Sequence, residues 1–416
     1  MSIKKKLQVK ESTVYKNIVA ENRKNAIKRE SYVERLLKNL SEHKLKHGRN
    51  LALIGSLNIG KSFILKEFLK RASDEENNGN ENNDKKSSEG NSVAYVDFSK
   101  IGLTPEELAR SLLLSVASWH LKKDVSDLDE CKLGFESTRI VEQVKNEFLK
   151  IKPDHKLLLQ LGFNFSEALC KDKSSTDKNN NLRMVVCLDE FWKLLDFNNY
   201  DQIDDVLNLF KQIVFSQSHV KYVVIGSAVT LMKDISKRLD FEIVEILSMT
   251  SRELSHEDNA DELYYYSAGV PLYVNALKNR QKIAKNSESE MSIKEAFVTE
   301  TLWKSGAIYH ACERKLDDSL DRARGRGLLI SILREISAAN SSGLRLSEVS
   351  RGIYRSAGVT KNLVERLVKV DLLVKEAGRF RFNDSVLKYW FKNFVSGNEF
   401  EEIPIKNEIR NIEVDL

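Results

Sequence analysis

Leu51-Ala52-Leu53-Ile54-Gly55-Ser56-Leu57-Asn58-Ile59-Gly60-Lys61-Ser62, followed by Phe63-Ile64-Leu65-Lys66-Glu67-Phe68-Leu69, is the stretch on which the reading of this chain turns. Four apolar residues read as a buried strand, Gly55 to Ser62 as a glycine-bounded turn, and the amphipathic run from Phe63 as a helix. Phosphate binding asks for such a turn, because backbone N–H groups freed from side-chain bulk at Gly55 and Gly60 can converge on one anion at a helix N-terminus. Lys61 adds a compact positive charge for β- and γ-phosphates, and the Ser62 hydroxyl is placed to ligate an accompanying Mg²⁺. The candidate nucleotide-binding set is therefore Gly55, Ser56, Leu57, Asn58, Ile59, Gly60, Lys61, Ser62 and Phe63. A plain strand–turn–helix corner is the competing reading of the same pattern.

Composition sets wider limits. A length of 416 residues allows two or three domains, each with its own core. No stretch approaches the roughly 18 to 20 apolar residues of a membrane helix, and Met1-Ser2-Ile3-Lys4-Lys5-Lys6 lacks an apolar segment behind its charges. A soluble, cytoplasmic protein is the expectation. Cys131, Cys170, Cys187 and Cys312 stand far apart with no C-x-x-C spacing, which suggests reduced thiols and neither a zinc site nor disulfides.

Residues 1–27 read as a basic, solvated arm. A helix built on Tyr32, Val33, Leu36, Leu37 and Leu40 leads to the first strand. Behind the turn, Ser73 to Asn91 holds six Asn, six acids and no apolar side chain, so it reads as a mobile surface insert. The strand Val93 to Phe98, helices at Pro105 to Lys122 and Ile140 to Leu149, and a second polar run from Lys171 to Asn181 come next.

Met184-Val185-Val186-Cys187-Leu188 then closes on Asp189-Glu190. A buried strand ending in two acids supplies the second half of a phosphate-transfer site, and this one is expected beside Leu51–Ile54. Asp189 would hold Mg²⁺ through water, and Glu190 would orient or deprotonate the attacking water. The alternative is an acidic pair opening the next helix, where the helix dipole favours it. A third strand, Lys221 to Ile225, ends at Gly226-Ser227, and Ser227 is the candidate to touch the γ-phosphate or that water. Strands alternating with helices predict an α/β fold, a parallel sheet flanked by helices with the ligand at the strands' carboxyl ends.

Together, Gly55 to Ser62, Leu188-Asp189-Glu190-Phe191, Val224-Ile225-Gly226-Ser227 with Met232, and Ala268-Gly269-Val270-Pro271-Leu272 resemble the archaeal ATPase family. That family is a branch of the signal-transducing (STAND) P-loop ATPases, close to AAA+ and origin-recognition ATPases. Phe382-Asn383-Asp384 and the following helix with Trp390 extend the resemblance over roughly residues 28 to 395. It implies ATP with Mg²⁺, hydrolysis, and a nucleotide-driven switch. It also implies that Arg29, in Arg29-Glu30, lies near the adenine, and that Pro271 packs against the nucleotide and couples a helical lid to it. The sequence departs from the family at Leu57-Asn58, where basic residues are usual. After the third strand, only Lys237-Arg238 stands for the family's basic pair, with Arg238 as the γ-phosphate sensor.

The expected domains are the core at 28–250, a helical lid at 251–322, a C-terminal domain at 323–395 and a tail at 396–416. In the C-terminal domain, helices near Leu328 to Ser337, Leu346 to Tyr354 and Lys361 to Val370 precede a hairpin of Leu373-Val374-Lys375 and Arg379 to Phe382, which is the order of a winged helix. Fourteen Lys/Arg against six acids leave it a surplus of eight positive charges. Double-stranded DNA is one partner this fits, with Lys361, Arg366, Lys369, Arg379 and Arg381 as contacts. A protein partner or a second copy of the chain is the other, since Glu365 sits inside the candidate recognition helix.

Overall fold

The computed structural model describes residues 29–44, 49–78, 91–102, 104–176, 183–255, 257–286, 290–340, 342–404, 408–409 and 412–416. The expected basic arm at 1–27 and residues 79–90 of the polar insert lie outside these. Residues 29–55 with 61–246 form one compact unit, and 247–416 with 56–60 form another.

The first unit is built on a five-stranded sheet of β1 (Leu51–Ile54), β2 (Asn91–Asp97), β3 (Arg183–Asp189), β4 (Val220–Gly226) and β5 (Glu242–Glu245). Its order is β2-β3-β4-β1-β5 and every neighbouring pair is parallel. Parallel strands with helices on both faces are apolar throughout, and β1 and β3 are buried at every residue. Here the structure corrects one expectation. The acidic strand β3 does not neighbour β1, because β4 lies between them. Strand order depends on which crossover packs where, a long-range matter that the periodicity of each strand does not encode.

Helices Glu30–Lys44, Lys61–Asn78, Pro105–Leu121, Phe135–Phe148, His155–Thr176, Val206–Ser216 and Val229–Leu239 complete this unit. The helix after the phosphate turn runs to Asn78, well into the stretch expected as an insert. Once nucleated, a helix extends at little cost per residue through good formers such as Glu75 and Glu76. His155–Thr176 is a helix the sequence did not announce. It is buried around most of its middle turns, including Leu158, Leu159, Phe163, Phe165 and Leu169, so it has no one-sided apolar stripe to betray it. Between β3 and the next helix, Phe191–Asn199 winds as a 3₁₀ helix with Phe191, Leu194 and Phe197 buried at its three-residue repeat.

In the second unit, helices Ala260–Ser267, Pro271–Asn286, Ile293–Leu302 and Ala307–Ala323 share one apolar core with the C-terminal elements. These are helix Arg326–Ala338, strand β6 (Leu344–Arg345), helices Leu346–Gly352 and Ala357–Lys369, β7 (Leu373–Glu376), β8 (Arg379–Phe382) and helix Ser385–Ser396. The small sheet runs β6-β8-β7, antiparallel throughout. Asp384 caps the last helix by accepting from Leu387 N at 3.1 Å. The tail is pinned as well, since Phe400 exchanges backbone bonds with Leu302 and Lys304.

Candidate nucleotide site

β1 delivers Gly55 to the carboxyl edge of the sheet, where its N–H donates to Gly226 O at the end of β4. The turn then bends tightly, with Ile59 N donating to Ser56 O, and needs left-handed backbone at Asn58 (φ 67°) and Gly60 (φ 99°). At Gly60 nothing stands within 4 Å of a notional Cβ, so glycine is required there by the backbone angle and not by crowding. Asn58 carries a buried Nδ2 with no protein acceptor among the described residues. Lys61 opens the helix Lys61–Asn78, with Ser62 exposed and Phe63 half-buried on its first turn.

The Lys61 side chain is buried and its Nζ donates to Gly55 O at 2.7 Å. Burial pulls its pKa down to about 8, against the pull of the Glu190 and Asp189 carboxylates, which favour the charged form. Asp189 is also buried. Its Oδ1 accepts from Glu190 N at 2.9 Å and its Oδ2 from the Tyr95 hydroxyl at 3.1 Å. Burial, and then the neighbouring charge of Glu190, push the Asp189 carboxyl above the usual range. Asp97 stands in register with Asp189 across the β2–β3 pair, which adds a third acid to the same edge. A carboxylate whose charge is opposed first by burial and then by neighbouring acids is one that a divalent cation relieves, so the residues fit Mg²⁺.

Glu190 takes a left-handed backbone (φ 50°, ψ 41°) at the corner between β3 and the 3₁₀ helix. Its Oε2 accepts from Ser227 Oγ at 3.0 Å and from Trp192 Nε1 at 2.5 Å. Ser227 comes directly after β4, the strand between β3 and β1, and this order brings it to the acidic strand's end. At Gly226 a Cβ would come within 2.6 Å of Met232 Cγ, so the helix Val229–Leu239 packs close against the strand end. Lys61, Asp189, Glu190 and Ser227 thus gather at one edge of the sheet.

Arg238 does not join them. The 11-residue helix Val229–Leu239 carries the chain about 16 Å back towards the amino edge, where β5 starts in register with Leu51. There Arg238 pairs with Asp205 at 2.6 Å. Arg29 is buried with its guanidinium 5.8 Å from the Tyr32 ring centroid, while Glu30 forms a forked pair with Arg71 of the phosphate-turn helix. Pro271 starts a helix of the second unit, after Ala268 and Gly269 both turn left-handed. A Cβ on Gly269 would lie 2.1 Å from Met249 O, so glycine is demanded there twice, by angle and by space.

Of the candidate DNA contacts, Arg366 donates through Nε, and again through its terminal nitrogen, to Ala323 O, so it fastens the C-terminus of Ala307–Ala323. Arg379 bonds Gly343 O at 2.9 Å and reaches Glu348, and Arg381 makes a forked pair with Glu376. Lys361 and Lys369 are exposed. Sequence reasoning missed Tyr95 and Trp192, the donors that hold the two acids. Trp192 stands just beyond Glu190 in the chain, which was its only signal, and Tyr95 had none without the strand order.

No family model matches this chain, and no curated protein matches it either. Among solved structures it is similar to the Walker-type ATPase PABY2304 of Pyrococcus abyssi, at 16% identity over 89% of this chain and 97% of that one, with a TM-score of 0.58. The chain has the fold of a P-loop ATPase. Lower likenesses include the ORC2 protein of Aeropyrum pernix solved in ADPNP–ADP complexes, at 16% identity over 89% and 94% with a TM-score of 0.49. A RuvB variant of Thermotoga maritima is similar at 13% identity over 91% and 96%, with a TM-score of 0.38. The five-stranded parallel sheet with its flanking helices is what the P-loop ATPase fold requires. Among the described residues no helix is long and apolar enough to cross a membrane.

Proposed function

We propose that this chain is a Mg²⁺-dependent ATPase that works as a nucleotide-driven switch. The observation that carries the reading is the gathering of a buried lysine, a raised and buried Asp189, and a hydrogen-bonded Glu190 at one edge of the parallel sheet. Lys61 exchanges the Gly55 carbonyl for phosphate oxygens, and the turn from Gly55 to Gly60 supplies N–H donors. Ser62 and Asp189 hold Mg²⁺, which when bound neutralises charge on the phosphates. Glu190 accepts a proton from the attacking water, and Ser227 holds that carboxylate in place. Arg29 serves the adenine and Pro271 relays occupancy to the helices after it. In solution the protein is expected to be cytoplasmic. The test is phosphate release from Mg·ATP, lost in Lys61→Ala together with nucleotide binding.

The elements from Arg326 to Ser396 are read as a winged helix that binds duplex DNA. Exposed Arg351, Arg355, Lys361 and Lys369 around the helix Ala357–Lys369 support this. The second reading is docking to a protein or to another copy of the chain. Its support is that Arg366, Arg379 and Arg381 are engaged within the chain, while Tyr354 is 89% exposed beside that helix. Binding of a duplex measured against salt separates the two, since phosphate contacts make affinity fall steeply with salt.

A further inference from the structure

Trp192 lies two residues beyond Glu190, and its indole N–H donates to the Glu190 carboxylate. An indole is a donor only, so this contact has one polarity and serves an acceptor such as Glu190. The ring is packed against the apolar core and has the Lys193 ammonium 5.9 Å from its centroid, so the donor is held and does not swing freely. Ser227 brings a second donor from the end of β4. Both converge on Oε2, and among the described residues no protein donor reaches Oε1. The backbone of Glu190 is in the left-handed region, and these two donors hold its side chain by one oxygen.

We propose that Trp192 is the positioning residue of the hydrolytic carboxylate: its indole N–H, with Ser227, anchors Oε2 and leaves Oε1 as the oxygen that takes the proton of the attacking water. In that step the water oxygen bonds the γ-phosphorus as the bridging P–O bond to ADP breaks, and the water proton passes to Oε1. The proposal rests on the assignment of Glu190 as the water-activating group. Holding a reacting group in a single geometry is worth considerably more than the strength of the hydrogen bond that does it.

The test is Trp192→Phe, which keeps a ring in the core and removes the N–H. Expected is a fall in kcat of about 10- to 100-fold, the usual cost of losing an orienting partner, with unchanged ATP affinity by calorimetry and unchanged thermal unfolding. The same substitution made in a Glu190→Gln background should cost nothing further. Trp192 emission, taken as the difference between the chain and Trp192→Phe, should also shift in Glu190→Ala without nucleotide. Wild-type turnover by Trp192→Phe, with Glu190→Gln inactive, overturns the proposal alone. An equal loss in both backgrounds assigns Trp192 a structural role and overturns it too. Normal turnover by Glu190→Gln overturns the base assignment, and the proposal with it.

Discussion

The ammonium of Lys61 donates to the carbonyl of Gly55, 2.7 Å away across the turn that both residues bound. A buried cation is thereby parked on a neutral partner. Its folded pKa, about 8, lies below the 10.5 of a free lysine. Below pH 8 both folded and unfolded chains carry the proton, so the full cost of burial weighs on the fold. Between pH 8 and 10.5 the unfolded chain binds more protons, and stability from this group rises with pH. Lys61→Met should therefore raise the stability of the nucleotide-free protein at pH 7 by about 1–3 kcal/mol, since each tenfold loss of proton affinity is worth about 1.4 kcal/mol and the lost hydrogen bond subtracts about 1. Thermal unfolding at pH 7 checks it, and a fall in Tm would contradict it. In wild type, ATP affinity should weaken as pH rises past 8, towards tenfold per pH unit, as Lys61 loses its proton.

Asp189 carries the complementary strain. Its folded pKa is raised by burial and by Glu190, so its charged form costs stability at neutral pH, and that cost is relieved as pH falls through the raised value. Asp189→Asn should unfold no earlier than wild type without metal. With a hundredfold excess of Mg·ADP over its Kd, wild type should gain about 2.7 kcal/mol, and the variant should lose the Mg²⁺-dependent share. An identical Mg²⁺ dependence in both proteins would remove Asp189 from the metal site.

In the second unit, Lys315 Nζ donates to Asp384 Oδ2 at 2.8 Å, and the Tyr273 hydroxyl donates to the same oxygen at 3.3 Å. Burial opposes the charge on Asp384, but Lys315 and the cap to Leu387 win and hold its pKa below the usual value. The stability this carboxylate contributes is present above about pH 4 and lost as pH falls through the lowered pKa. Asp384→Asn leaves a nearly buried ammonium without its counter-charge and should cost about 3–5 kcal/mol in chemical denaturation. A loss under about 1 kcal/mol would mean that Lys315 finds water.

Lys361→Ala and Lys369→Ala should each lower the slope of log K against log salt for duplex binding by about 0.9 per phosphate contact made, with ATP hydrolysis in the absence of DNA unchanged. Arg366→Ala belongs to another class. It unties the carbonyl of Ala323 and should cost about 1–3 kcal/mol of stability. Unaltered slopes in both lysine variants would favour the protein-docking reading. Deleting residues 323–395 outright is a poor test, because their core is continuous with that of the helices before them.

The legible parts were those with short-range signals. Leu51–Ile54, Gly55 to Ser62, and the strand closing on Asp189-Glu190 combine a buried strand with the residue types a phosphate edge needs, and both lie within a few residues. The order of strands was not legible, and with it went the placement of β4 between β1 and β3 and the role of Tyr95. Arg238 was misplaced for a related reason. Its sequence position after β4 says nothing of how far a helix carries it. His155–Thr176 escaped because burial on most sides erases amphipathic spacing, and Arg366 because a basic residue on a helix looks the same whether it faces solvent or caps a neighbouring helix.

If Glu190 activates water beside a nucleotide held by Lys61 and Asp189, then Glu190→Gln should separate binding from hydrolysis. Nucleotide affinity and single-turnover phosphate release are measured on the same preparation. Mg·ATP should bind with wild-type affinity and be hydrolysed about 10² to 10⁴ times more slowly, because only the group acting on water has been altered. Hydrolysis at the wild-type rate by a variant that binds ATP normally would contradict this assignment of Glu190.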